Sequence, residues 1–114
     1  MLSNQSLAET FEALAHPRRL LIAGILAKNP EAGRSLIDLQ RVTGLSESSL
    51  THHVRVMERA GVLVRQRKGA VVTHRLHPGP LHQAIAQVEA LLRPPSRPAL
   101  HPAPFTAARA GAPH

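Results

Sequence analysis

The chain has 114 residues and a mass of 12.3 kDa, enough for one domain with a single core. It has no cysteine, which excludes disulfides, thiolate zinc sites, iron–sulfur clusters and thiol redox sensing within the chain. Fourteen Lys and Arg oppose seven Asp and Glu, giving a formal charge of +7, and twelve of the fourteen cations are arginine, whose planar fork suits phosphates and base edges.

Leu7, Phe11 and Leu14 recur at helical spacing and predict a first helix over about residues 6–15, with Ser6 as its cap and Glu9 as the capping-box partner. His16 stands at the following boundary. Pro17 suits the first turn of a second helix reaching Ala27, with Leu20, Leu21, Ala23, Gly24, Ile25 and Leu26 expected to be buried. Asn29-Pro30 ends it. Ser35 caps a short third helix through Val42, expected to bury Leu36, Leu39 and Val42. Gly44 supplies the left-handed turn, and Ser46 caps a fourth helix from Glu47 to Ala60. Leu50, Val54 and Met57 form its apolar side, and Gly61 stops it.

The period then changes. Residues 62–67 and 71–76 are two β-rich runs around Lys68-Gly69-Ala70, a hairpin pattern. After the break at residues 77–80, Leu81, Ile85, Val88 and Leu92 mark a last helix of about 12 residues. From Arg93 to His114 six of the ten prolines fall within 22 residues, so a disordered tail is expected over 93–114 and a folded domain over 1–92.

Helix, tight turn, helix and basic hairpin together predict an α+β winged helix-turn-helix fold, with about five helices and a two-stranded wing. A helix fits the major groove of B-DNA, about 12 Å wide, if its exposed face carries small polar or cationic groups. Glu47, Ser48, Thr51, His52 and Arg55 lie opposite the apolar stripe of the fourth helix, and Ser46 and Ser49 stand at its start. Arg65, Arg67 and Lys68 add charge near the hairpin tip. Residues 55–75 hold six basic side chains and one acid. Double-stranded DNA is the expected partner. Arg55, Arg65, Arg67 and Lys68 would supply affinity, and Ser48, Ser49, Thr51 and His52 base readout.

In these features the chain resembles the ArsR family of bacterial winged-helix repressors. The stretches carrying the likeness are residues 11–20 (FEALAHPRRL), 45–54 (LSESSLTHHV) and 57–63 (MERAGVL) followed by 67–69 (RKG). The resemblance implies a homodimeric repressor that leaves a palindromic operator when an effector binds. It implies groove-facing roles for Ser46, Ser48, Ser49, Thr51, His52 and Arg55, and dimer contacts through Leu81, Ile85, Val88 and Leu92. His53 matches a position usually held by histidine. The chain departs from the family in lacking the metal-sensing cysteines, in holding Thr73 and His74 where the wing commonly has aromatics, and in holding Ala70 where a wing-tip arginine is common.

Eight histidines raise a nickel or zinc alternative through His74, His77 and His82, but two prolines separate His77 from His82 and no Asp is near. No metal site and no cofactor are therefore expected, and the effector is unassigned. A second alternative is a winged-helix protein-interaction module without sequence readout. Enzyme activity is not expected: no Gly-rich phosphate loop or Gly-x-Ser-x-Gly is present, and Ser49 and His53 lack an orienting acid. No apolar run approaches the roughly 20 residues of a membrane span, and residues 1–6 lack a leader's basic start, so a cytoplasmic protein is expected.

Overall fold

The computed structural model describes residues 1–95; the rest of the expected proline-rich tail lies outside the described residues. Within them the chain runs α1 (Asn4–Glu12), α2 (Pro17–Ala27), α3 (Leu36–Thr43), α4 (Glu47–Arg59), β1 (Leu63–Lys68), β2 (Val71–Leu76) and α5 (Gly79–Leu92). This is the winged helix-turn-helix arrangement expected from the sequence.

The helix-turn-helix is set by local chemistry. Ser35 Oγ accepts from the Asp38 amide at 3.1 Å, and Ser46 Oγ accepts from the Ser49 amide at 3.2 Å, so each helix has an orphan donor satisfied at its start. Between them Gly44 takes φ +74° and its N–H donates to the Gln40 carbonyl at 2.9 Å, closing α3. Leu39, Leu50, Val54 and Met57 then meet Ile22 and Leu26 of α2 and Val62 and Leu63 at the start of the wing. Fully burying each such side chain stabilises the fold by about 1.5–3 kcal/mol.

The wing is a two-residue hairpin. Leu63 pairs with Leu76 and Lys68 with Val71, leaving Gly69-Ala70 as the loop with Gly69 at φ +63°. A further bridge fixes the wing to the body. Arg34 and His74 exchange both backbone hydrogen bonds, at 2.8 and 2.7 Å. Gly33 makes this approach possible, since it has φ +67° and a Cβ there would lie 2.5 Å from the His74 carbonyl oxygen.

Five expectations are corrected. The first helix begins at Asn4, not Ser6, and its cap is Ser3, whose side chain accepts from the Ser6 amide. The Leu2 backbone also exchanges two hydrogen bonds with the Gln87 amide of α5, at 3.0 and 2.8 Å, so the helix start is tied down from the other end of the chain. In α2 the buried residues are Arg19, Ile22 and Leu26, whereas Leu20 and Leu21 are exposed. In α3 Leu39 alone is fully buried, Leu36 is partly so, and Val42 faces solvent. The last helix has 14 residues rather than about 12. Its expected apolar row divides: Leu81 packs on the molecule's own core, while Ile85 and Leu92 are 49% and 78% exposed.

Candidate nucleic-acid interface

The apolar stripe of α4 fixes the phase of its other face. With Leu50, Val54 and Met57 buried, Ser48, His52 and Arg55 are exposed and Thr51 is half-buried, joined by Arg59 along one concave strip. Ser46 is exposed at the cap. Ser49 is half-buried, and its hydroxyl accepts from Arg18 Nη1 at 3.1 Å. Arg18 thus sets a guanidinium at the start of α4, a contact that no spacing in the sequence signals.

Arg65, Arg67 and Lys68 are exposed on the wing, and Arg67 Nε donates to the Gly69 carbonyl at 3.2 Å. Thr51 and Arg55 of α4 line one cleft with Arg65 of β1, so the helix face and the wing meet on one surface. The arrangement offers donors and positive charge from two elements to one polyanion.

Beneath this face lies a buried polar cluster. Arg19 is 7% exposed; its Nη2 donates to the Glu12 carbonyl at 3.0 Å, and its Nη1 lies 3.1 Å from His53 Nδ1. A guanidinium only donates, so Nδ1 accepts and the neutral ring carries its proton on Nε2. Arg19 ties the end of α1 to α4, and its charge favours the carbonyl end of α1. His16 caps α2, its Nδ1 accepting from the Arg18 amide, and its ring lies 4.5 Å from that of His53. His52 and His53 divide as their adjacency requires, one outward and one inward.

Burial, followed by the charges of His16 and Arg19, lowers the His53 pKa below its ordinary 6.5. His74 is also lowered, first by burial; the Glu58 carboxylate, whose Oε2 lies 3.3 Å from His74 Nδ1, opposes that effect. Below 6.5 the unfolded chain therefore binds more protons than the folded one. Stability is full above that pH and declines as the medium is acidified. Denaturant midpoints between about pH 7.5 and pH 5 are expected to fall, with His53→Gln flattening part of the slope. A midpoint indifferent to pH would show both rings to be solvated.

The three histidines of the metal alternative do not assemble. His74 faces Glu58, while His77 and His82 are exposed, and the described residues contain no group of three or more His, Cys, Asp or Glu able to hold a metal.

Fold and surface together define a winged helix-turn-helix DNA-binding domain. No family model matches the chain. It is 31% identical over 87 residues to the HTH-type transcriptional regulator YgaV of Escherichia coli strain K12, covering 76% of this chain and 86% of that one. Among solved structures, an ArsR-like transcriptional regulator from Rhodococcus sp. RHA1 superposes with a TM-score of 0.69 at 21% identity, covering 76% and 79% of the two chains. A homodimeric winged helix-turn-helix DNA-binding domain from Mycobacterium bovis gives 0.61 at 22% identity, covering 76% and 78%. The chain belongs to the ArsR family of transcriptional regulators, which are not enzymes.

Proposed function

We propose that this protein is a cytoplasmic transcriptional repressor that binds a palindromic operator as a homodimer and is released by an effector. The carrying observation is the single surface formed by Thr51 and Arg55 of α4 with Arg65 of the wing. In this reading α4 enters the major groove. Ser46 and Ser48 meet the duplex at its start, Thr51 and His52 read base edges, and Arg55 reaches a guanine edge or phosphate. Arg65, Arg67 and Lys68 hold the flanking backbone. Ser49 contributes through Arg18, which it holds at the helix start.

One such helix reads few base pairs, so two half-sites about one helical turn apart are needed for specificity. The exposed Ile85, Leu91 and Leu92 of α5 supply an apolar face for a second copy, together with the half-buried Val88. The homodimeric state of the Mycobacterium bovis domain, which has the same fold, supports this assembly. A dimer seated over a promoter represses by occupancy.

The test is a titration of a duplex recovered by selection from a randomised pool. Arg55→Ala is expected to weaken binding by about 1–3 kcal/mol with unchanged circular dichroism. Unaltered affinity would remove Arg55 from the interface. Equal affinity of the unaltered protein for selected and scrambled duplexes would favour an interaction module over a sequence reader.

A further inference from the structure

The cleft between α4 and the wing has a volume of about 560 Å³, within the range of small-molecule sites. Its walls are apolar where Leu36, Ile37, Val54, Val71 and Val72 line it. Ile37 and Val71 are 69% and 54% exposed, large apolar groups left open at its edge. Arg55 and Arg65 also line it, and neither is in an ion pair among the described residues. His74 lines it too, but it is only 4% exposed and both its ring nitrogens are closed off from the cleft. The acid in this lining, Glu58, is turned to His74.

We propose that this cleft binds a small organic carboxylate with an apolar body, and that its occupancy releases DNA. The apolar part lies against Val54 and Val72, and the carboxylate pairs with Arg55 and Arg65. Thr51 and Arg55 serve the duplex in the function proposed above, so guest and duplex compete for the same side chains. That release step rests on the DNA-binding reading; binding of the carboxylate does not.

The two are separated by measuring each alone. The full-length ¹⁵N-labelled protein, with no DNA present, is titrated with benzoate and hexanoate, and with benzylamine and hexylamine as charge-reversed counterparts. The carboxylates are expected to shift the amides of Ile37, Thr51 and Val72 at millimolar concentration or below, and the amines to leave them in place. Absence of those shifts with both carboxylates, equal response to the amines, or shifts confined to α5 would overturn the site.

At saturating benzoate the affinity for the selected duplex is expected to fall about tenfold or more. Carboxylate binding with undiminished duplex affinity would overturn release alone. Val72→Phe, which fills the cleft without altering charge, is expected to abolish the shifts and keep duplex affinity. Arg65→Gln, read by carboxylate binding only, serves if the larger side chain prevents folding. Wild-type carboxylate binding by the folded variant would contradict the proposal.

Discussion

Raising the salt concentration from about 50 to about 200 mM is expected to weaken binding to the selected duplex by about three to five orders of magnitude. The basis is the concentration of charge on the two elements of the proposed interface. If Arg55, Arg65, Arg67 and Lys68 of each subunit neutralise about four phosphates, a dimer releases the counterions of about eight, and the log–log slope lies near −7. Lys68→Ala should then reduce the slope by about one per subunit without changing which sequences are preferred. Arg67, already donating to Gly69, is held near the turn and places its charge at the wing tip. A slope near zero would mean that the cations face something other than a phosphate backbone.

The second large effect concerns α5. Ile85→Asp is expected to convert the dimer to a monomer in analytical ultracentrifugation. It should lower affinity for a two-half-site duplex by about two orders of magnitude or more, because joining two half-sites raises affinity by about 10²–10⁴. Ile85 is 49% exposed in the single chain, while the neighbouring Ala84 is fully buried, so the substitution acts on the open side of the helix. Leu92→Asp, at a position 78% exposed, should act in the same direction. Retention of a dimer by both variants would place the assembly surface elsewhere. Dissociation without loss of operator affinity would show that one subunit suffices.

The helix-turn-helix was legible because its punctuation is local. Ser35, Gly44 and Ser46 each do one job that few residue types can do, and the i, i+4, i+7 spacing of Leu50, Val54 and Met57 has one phase. The wing was legible for the same reason, through Gly69 between two β-rich runs. The second helix was not. Residues 20–27 are apolar on every side or glycine, so periodicity assigns no phase. The phase is set by Arg19, a cation that composition alone puts at the surface. It is buried because the Glu12 carbonyl and His53 Nδ1 receive its donors, and both partners come from other elements. The start of α1 was placed at Ser6 rather than Ser3, because what holds the earlier residues in place is the distant Gln87, which leaves no local signal.

The candidate interface was similarly divided. The outward set on α4 follows from the buried stripe, but the contact of Ser49 with Arg18 is long-range and carries no sequence signal. The pairing of Glu58 with His74 joins α4 to β2 and was equally invisible. It turns His74 inward against Glu58, away from His77 and His82, which are exposed.

In the proposed complex the polar face of α4 enters the duplex. The direct measurement is amide mapping of the ¹⁵N-labelled protein with the selected duplex. The predicted result is that the largest shifts fall at Ser46, Ser48, Thr51, His52 and Arg55, with a second set at Arg65, Arg67 and Lys68. Shifts confined to α1 and α5, with those of α4 unchanged, would contradict it.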